Sequence, residues 1–501
     1  MEKYDLVVIG AGPAGYAATM RALDLDADAR VLLVERGKIG GAGVWNGALS
    51  SKTMWELSKD ITKLGIRDRG YRVNDFALSY KDIVHCINEA VEERTGHLVH
   101  QLRLLEQQVS KRFRLVRGFA RLQDAHQVHI QLADGTQEVV QAAHIILAMG
   151  SRPRYLPGIP IDEKTIVTSD GIHGWDDFPE SMVILGAGVV GCEYATIFAN
   201  FGRTRVHIIN KGEQLIPFED EDIMHVVAQN LEERGVVIHR NSQLQEMKVV
   251  DGKVQYTLSL ADGTTLTNTV EKALISVGRV TNLEGMGLRE IGLDIDARGN
   301  FVIEDTQTNL PNIYAIGDLT AEIQLVNVAE MEGRHASERI FGRQRVALSY
   351  DNISTIMFLS PEVAGVGINE KQARQMGIPY RIASYSYGYI PRAIAMRNSN
   401  GFFKLIVTDD DEMRLLGMRA VGAQASSTIE AAALLIAMKR GIDELANLIH
   451  PHPSITEGIQ ECARMLKGNS IVKPHLFAAN IRCSRYVNGQ CIDIIPKVAT
   501  P

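Results

Sequence analysis

Cysteine is scarce in this chain: Cys86, Cys192, Cys462, Cys483 and Cys491 are the only five in 501 residues. Their spacings suit neither a metal site nor a disulfide framework. For Cys86, Cys192 and Cys462 the expected role is that of small buried hydrophobes. Runs of like charge are also absent, and the formal charge of −7 is spread along the chain. Without a basic stripe, no nucleic-acid partner is expected. No uninterrupted apolar stretch reaches the roughly 18–20 residues a membrane helix needs. A strand pattern begins at Tyr4, which leaves no room for a leader peptide, and the expected location is cytoplasmic with no membrane partner. Short-period repeats and low-complexity tracts are missing too. What remains is an ordinary globular composition, 45% hydrophobic and 23% charged, long enough for about three domains.

Two stretches share a pattern of apolar strand, glycine turn and helix. The first is D5-L-V-V-I-G-A-G-P-A-G15, with a helix through Ala22 and then the strand V31-L-L-V-E35; the second is M182-V-I-L-G-A-G-V-V-G191, with a helix and then V206-H-I-I-N210. In each, a GxGxxG turn (Gly10, Gly12, Gly15 and Gly186, Gly188, Gly191) lets backbone N–H groups and a helix N-terminus approach a pyrophosphate. Glu35 stands 20 residues past Gly15, where a carboxylate accepts ribose hydroxyls. Two such units imply two dinucleotides, or one bound twice. Nineteen residues past Gly191 stands Asn210, neither the acid that selects NAD nor the arginine that grips the 2′-phosphate of NADP. Lys211 follows and can act as a point charge for a phosphate. Were a nicotinamide nucleotide held at this second turn, discrimination between NADH and NADPH would be weak, with NADH the favoured form and use of both left open.

Between the units, Asp75–Arg103 reads as helix, and residues 113–133 as short strands before an Asp-Gly turn at 134–135. The strand H144-I-I-L-A-M-G150 stops against S151-R-P-R-Y-L-P-G158, and residues 277–282 form a matching second crossing between domains. From about Tyr350, strands (Ile353–Leu359, Phe402–Val407, Arg414–Val421) precede apolar helices (Thr428–Lys439, Ile459–Leu466). The residues after Gly468, with Pro474, Pro496 and Pro501, read as an irregular tail.

Taken together these segments resemble the class I pyridine nucleotide-disulfide oxidoreductases, the family of dihydrolipoamide dehydrogenase, glutathione reductase and soluble transhydrogenase. N312-I-Y-A-I-G-D318 matches the family's second flavin motif, residues 145–152 its motif at the first domain crossing, and H450-P-H-P-S-I-T-E457 its H-P-T-x-x-E signature. The resemblance spans about residues 4–468. It implies an α/β fold with two Rossmann-like dinucleotide-binding domains and a C-terminal α+β dimerisation domain. The FAD domain would comprise 1–150 and 278–348, the NAD(P) domain 151–277, the interface domain 349–468, and the tail 469–501. FAD would be held by Gly10, Gly12, Gly15, Glu35, Gly150, Gly317 and Asp318. NAD(H) and/or NADP(H) would be held by Gly186, Gly188, Gly191, Asn210, Lys211 and Gly278, with Ile216 where glutathione reductases carry a second arginine. A homodimer is implied as well, because the family's C-terminal histidine serves the partner subunit's site.

The segment G40-G-A-G-V-W-N-G-A-L-S-S-K52 resembles the family's G-G-T-C-L-N-V-G-C-I-P-S-K, in which a CxxxxC disulfide lies above the flavin. Aligned on the shared Gly-Gly and Ser-Lys, the two cysteines fall on Gly43 and Ala48, and Ser50 replaces the proline. Neither Gly43 nor Ala48 can hold electrons. Lys52 and Glu193 are kept; in the family they pair beside the flavin where hydride arrives. His452 and Glu457 are kept too, as the general acid–base and the carboxylate that orients it. The expected catalytic residues are therefore Lys52, Glu193, His452 and Glu457, with Trp45, Gly43 and Ala48 at the acceptor pocket and no metal. Trp45 either stacks on a planar acceptor or fills the space left by the sulfurs. His452 either protonates the acceptor or holds the dimer interface. The expected function is an FAD-dependent NAD(P)H oxidoreductase that passes electrons directly to a small non-disulfide acceptor, a quinone-like molecule or NAD(P)+. Two alternatives stay open. One is a dihydrolipoamide dehydrogenase-type reductase whose thiols come from Cys483 and Cys491 or from substrate; the other is a non-enzymatic redox-sensing flavoprotein.

Overall fold

The computed structural model describes residues 1–64, 70, 73, 76–320, 323–343, 346–477 and 480–495. Asp75, Pro496 and Pro501 lie outside the described residues. The chain forms two compact units: Met1–Pro179 with Met247–Val254 and Glu271–Leu348, and Glu180–Glu246 with Gln255–Val270 and Ser349–Pro501.

The first unit is built on the strand Glu2–Ile9, paired in parallel with Val31–Glu35 on one side and Gln137–Leu147 on the other, beyond which lies Ile313–Ala315. Leu6, Val7, Val8, Leu32 and Leu33 are fully buried. Covered on both faces, such strands need apolar residues at every position rather than at alternate ones. The strand Phe113–Leu122 has two kinds of partner within this one sheet. Its first half pairs in parallel with Val31–Glu35 and its second half antiparallel with Gln127–Leu132, which returns to Gln137–Leu147 through Asp134–Gly135. The helix Pro13–Leu25 meets Val326–Ile340 backbone to backbone: a Cβ on Gly333 would stand 2.2 Å from the Ala14 carbonyl oxygen. The two crossing segments, Ser151–Pro153 and Arg279–Thr281, pair antiparallel.

The long helix runs Tyr80–Gln108, with Ser79 capping the Asp82 N–H, and buries Tyr80, Ile83, Ile87, Val91, Leu98 and Leu102. Cys86 falls off that stripe and is exposed. The expectation of a buried thiol there is wrong, because helical phase rather than residue type decides the face. Among the described residues, no helix is long and apolar enough to cross a membrane.

In the second unit, Ser181–Leu185, Arg205–Ile209 and Val237–His239 pair in parallel, with the helices Val189–Phe201 and Glu221–Glu233 following the first two strands. Its other sheet has seven antiparallel strands in the order Ser354–Met357, Val363–Gly367, Leu415–Val421, Phe402–Thr408, Tyr380–Ser386, Ile481–Val487, Gln490–Asp493. The last two correct the expectation of an irregular tail: residues 481–493 form a hairpin whose first strand pairs with Tyr380–Ser386. Pairing with a strand about a hundred residues upstream leaves no local signature. One face of this sheet packs through Phe403, Leu405, Val407 and Ala420 onto Ile459, Cys462 and Ala463.

The opposite face carries charge. Arg482, Ser384, Lys404, Arg419 and Gly365 stand side by side across five strands. Lys404 is fully buried, and its ammonium donates to Asp220 at 2.9 Å, Asp222 at 2.7 Å and Glu370 at 3.0 Å. Arg419 donates to Glu219 at 2.9 Å. Gly365 is required beside it, since a Cβ there would approach the Arg419 Cδ to 2.9 Å. Asp220, Asp222 and Glu370 have the separations of a cation site, and the Lys404 ammonium is the cation they share. Burial works to raise the Glu370 carboxyl, but Lys404 and Arg482 outweigh it and push its pKa down to about 2. Its stabilisation is therefore complete above its ordinary 4.5 and is lost as pH falls from there toward 2. Replacing Lys404 by Met leaves the Asp220 and Asp222 carboxylates facing an apolar side chain, while Glu370 keeps Arg482 and Arg374. We expect a loss of about 3–5 kcal/mol, read as a lower urea midpoint for the second unit's transition at neutral pH, with the deficit shrinking in acid.

Candidate active site

In the first unit the glycine turn is a backbone cradle. Gly10 has φ +106°, and a Cβ on it would meet the Ala148 carbonyl oxygen at 2.4 Å; one on Gly15 would meet the Gly10 oxygen at 1.9 Å. Those two glycines let strand and helix touch. Gly12 differs: a Cβ there meets nothing within 4 Å, so the turn opens onto space at the start of the helix. That helix has Pro13 in its first turn, no side-chain cap and no acidic residue in its first turn. Its leading N–H groups and positive dipole end thus await an anion from elsewhere. Glu35 is held at the end of its strand, one oxygen accepting the Ala11 N–H at 2.6 Å and the other the Gly37 N–H at 2.5 Å.

Three more segments close on this turn. Gly317, at φ +67°, lies against Ala14, where a Cβ would approach the Ala14 Cβ to 3.2 Å, and its N–H donates to the buried Glu332 at 2.6 Å. Asp318 accepts the Ser151 hydroxyl on Oδ2 at 2.6 Å, while Arg279 donates to the same hydroxyl at 2.7 Å and stands 3.9 Å from the carboxylate. Glu332, Ser151 and Arg279 were not singled out for this role by the sequence. Arg279 and Ser151 are 128 residues apart, and no spacing rule joins them. Gly150, at φ +65°, has open space where a Cβ would be.

The segment 40–52 packs directly on the cradle. It forms a one-turn helix Gly41–Val44 and then the helix Ala48–Leu64. A Cβ on Gly41 would come within 3.2 Å of the Gly12 Cα, and one on Gly43 within 2.6 Å of the Pro13 Cγ. No side chain fits at position 43 unless the Pro13 ring moves. Ala48 begins the longer helix. Trp45 donates its indole N–H to the Ile39 carbonyl at 2.9 Å, and the Lys38 ammonium lies 3.7 Å from its ring centroid. The indole is thus tied back to its own loop, with one face covered by a cation. The Ser50 hydroxyl is buried with no hydrogen-bond partner among the described residues. Lys52 donates to the Ser51 hydroxyl at 3.3 Å.

The second unit repeats the cradle. Gly186 has φ +106°, Gly188 opens the helix without a side-chain cap, and a Cβ on Gly188 meets nothing within 4 Å. Asn210 is buried, and its Nδ2 donates to the Gln214 carbonyl at 3.0 Å. Lys211 is exposed beside it. Ile216 is fully buried at φ +44°, with its N–H donating to the Ala187 carbonyl at 2.9 Å, so that position turns inward rather than toward a ligand. Glu193 accepts the Phe358 N–H at 2.9 Å. Gly278, expected with this group, belongs to the first unit, at φ +100° next to the strand Arg279–Thr281. His452 hydrogen-bonds Glu457 at 2.7 Å through Nδ1, and Glu457 also accepts the Ser454 N–H at 3.0 Å. Burial tends to raise the Glu457 carboxyl, and these two bonds bring it below its ordinary value. The His452 side chain is 69% exposed, and the hydrogen bond at Nδ1 leaves Nε2 on its outer side.

Two open glycine turns at uncapped helix starts, together with an antiparallel domain bearing a carboxylate-held histidine, define a two-dinucleotide oxidoreductase. Both turns leave space where a Cβ would stand, which fits FAD in one and a nicotinamide nucleotide in the other. Comparison with known proteins agrees. The sequence pattern described as "Pyridine nucleotide-disulphide oxidoreductase" matches residues 4–333, and that of its dimerisation domain matches residues 353–463. The chain is 30% identical over 469 residues to a dihydrolipoyl dehydrogenase of Chlamydia muridarum, covering 92% of this chain and 96% of the relative. It is 31% identical over 476 residues to dihydrolipoyl dehydrogenase 3 of Haloarcula marismortui, covering 93% and 97%. The crystal structure of LpdA from Mycobacterium tuberculosis superposes with a TM-score of 0.84 at 25% identity, covering 93% of this chain and 99% of that one. The HOCl-induced flavoprotein disulfide reductase RclA of Escherichia coli shares the fold, with a TM-score of 0.78 at 23% identity over 92% of this chain and 100% of that one.

The chain belongs to the pyridine nucleotide-disulphide oxidoreductase family. It is accordingly an FAD-dependent oxidoreductase that uses a nicotinamide nucleotide. Gly15→Ala forces a carbon into the Gly10 carbonyl. A strain of about 1–3 kcal/mol is expected, visible as a lower ratio of flavin absorbance to protein absorbance in the purified variant.

Proposed function

We propose that this protein passes electrons from NAD(P)H through FAD directly to a small non-disulfide acceptor, a quinone-like molecule or an oxidised nicotinamide nucleotide. The observation that carries this reading is position 43. Where the family places the first redox cysteine, the chain has a glycine whose Cβ would collide with Pro13, and Ala48 stands at the second position. FAD, when bound, accepts two electrons from the nicotinamide and releases them to the acceptor. The retained Lys52 and Glu193 favour a flavin that is still reducible. With a quinone, NAD(P)H and one proton are consumed, and quinol and NAD(P)+ leave. The proton comes from Nε2 of an imidazole whose Nδ1 is fixed by Glu457, the arrangement of a general acid. That imidazole is His452 of the partner subunit in a homodimer. The match to a dimerisation domain over 353–463 supports the dimer, as do the exposed side chains of Leu434, Met438, Leu448 and Ile449 in that domain.

The relatives' name, dihydrolipoyl dehydrogenase, favours the second reading, a disulfide reductase drawing on Cys483 and Cys491. The hairpin argues against it. Cys491 lies opposite Tyr486, so its side chain shares a face with residues 482, 484 and 486, while Cys483 points to the other face. Cys483 is buried, and desolvation pushes its thiol up to about 12, which leaves almost no thiolate at neutral pH.

Anaerobic titration separates the readings. About one equivalent of NADH or NADPH should bleach the flavin with no long-wavelength thiolate charge-transfer band, and turnover should follow with menadione-type quinones but not lipoamide. A charge-transfer band that vanishes in Cys483→Ser would overturn the proposal, and no bleaching by either nucleotide would favour a non-enzymatic flavoprotein. His452→Ala should cost roughly 100-fold or more in quinone turnover while bleaching by NADH is retained.

A further inference from the structure

We infer that the C-terminal hairpin, Ile481–Val487 with Gln490–Asp493, is a positioning element of the nicotinamide-nucleotide site, acting through Arg482. The inference rests on the reading that the Gly186–Gly191 turn and the loop 210–216 receive that nucleotide. The hairpin lies beyond residue 463, where the match to the dimerisation domain ends.

Arg482 grips Glu370 with both arms, Nη1 to Oε1 at 3.1 Å and Nη2 to Oε2 at 3.2 Å. Such a fork fixes a carboxylate's plane as well as its place. Glu370 reaches Asp220 by two routes: its own N–H donates to Asp220 at 3.2 Å, and both carboxylates share the Lys404 ammonium. The residue before Asp220 is Glu219, whose side chain is held by Arg419 and whose carbonyl accepts the Gln214 side chain at 2.8 Å. The Gln214 carbonyl in turn accepts the Asn210 amide at 3.0 Å, and two residues on, the Ile216 N–H closes onto Ala187 inside the glycine turn. Every step from hairpin to nucleotide loop is thus a hydrogen bond, an ion pair or a neighbouring residue.

The hairpin has other anchors, and the one through Arg485 does not touch this chain of contacts. Arg485 donates to Asp409 at 2.6 Å, and Tyr486 stacks on Tyr380 with ring centroids 5.1 Å apart. Arg485 therefore serves as an internal control for mere attachment. Without Arg482, Glu370 keeps Lys404, Arg374 and Tyr380 as partners, so the sheet survives. The carboxylate then turns more freely, and Lys404 is shared differently between Glu370 and Asp220. The consequence falls on the loop that meets the nucleotide.

The test uses the full-length, flavin-loaded protein, with Arg482→Ala, Arg482→Lys and Arg485→Ala compared to the parent. NAD+ and NADP+ binding to the oxidised enzyme is measured by equilibrium dialysis, and flavin reduction by NADH and NADPH by stopped flow. Arg482→Ala should weaken nucleotide binding and raise the half-saturating concentration by roughly 3–10-fold, with the limiting reduction rate and flavin content unchanged. Arg482→Lys should recover part of the loss, and Arg485→Ala should bind as the parent does even where its melting temperature falls. Parent-like binding in Arg482→Ala, or equal losses in Arg482→Ala and Arg485→Ala, overturns the inference. If Arg482→Ala does not fold, the same comparison is made with Arg482→Lys, where parent-like binding overturns it. Gly188→Val fills the open space at the turn and should abolish nucleotide binding. Binding that survives it sinks the assignment of the nucleotide site instead, a failure separate from that of the hairpin.

Discussion

The second unit is organised around charges that have nowhere else to go. Lys404 sits in the strand Phe402–Thr408, all of whose inner residues are buried, and directly opposite Arg419. Two cations facing each other across a ladder repel, and a lone buried ammonium costs several kcal/mol. Both costs are met by one acidic stretch, Glu219–Asp222, with Glu370 added from the neighbouring helix. Satisfying Lys404 and Arg419 therefore dictates where residues 219–222 lie. The same stretch ends the loop that leaves Asn210 and opens the helix Glu221–Glu233. A buried ion cluster is weak evidence for stability and better evidence for specifying a single arrangement. Here the arrangement specified is that of the loop that runs from Asn210 to the helix Glu221–Glu233.

The first unit meets its constraint through close approach rather than charge. At Gly10, Gly15 and Gly43 backbone or ring atoms occupy the place a Cβ would take, and at Gly41 and Gly317 a Cβ would press to 3.2 Å on Gly12 and Ala14. At Gly12 and Gly150 that place is open. The two groups do different work. Closed glycines bring strand, helix and the segment 40–44 together, and open ones leave space beside the backbone, at Gly12 next to a helix start without a side-chain cap. Gly43 belongs to the closed group. Position 43 is therefore constrained by packing as well as by chemistry, and Pro13 marks where a Cβ would have to go.

Much of this was legible in the sequence because the signals are local. The glycine turns, Glu35, the Asp134–Gly135 turn and the His452–Glu457 pair each lie within a short span, where periodicity and spacing fix geometry. The misses share a cause. Cys86 was misplaced because composition says buried while helical phase says exposed. The tail was read as irregular because its strand pairs with residues 380–386, and pairing across such a separation leaves no trace in either segment. Ser151 and Arg279 escaped for the same reason: the one meets Asp318 and the other meets Ser151 across separations that no spacing rule joins. Lys404 did carry a signal, a lysine inside an apolar strand, which reads as an error until its partners are known.

The hairpin changes how its two cysteines are weighed. Spaced seven residues apart in a tail of unknown shape, Cys483 and Cys491 could stand for a mobile redox pair. Strand alternation removes that option, because residues opposite one another share a face and Cys491 lies opposite Tyr486. A disulfide between thiols on opposite faces would require the ladder to open, and Ser484–Asp493 to Val487–Gln490 are paired throughout. Cys483 instead fills the core beside Cys462 and Ile481, the ordinary use of a small apolar side chain. Arg482, next in sequence and on the other face, points toward Glu370. One strand thus buries a thiol on one side and fixes a carboxylate on the other, and it is the second side that connects to the loop 210–216.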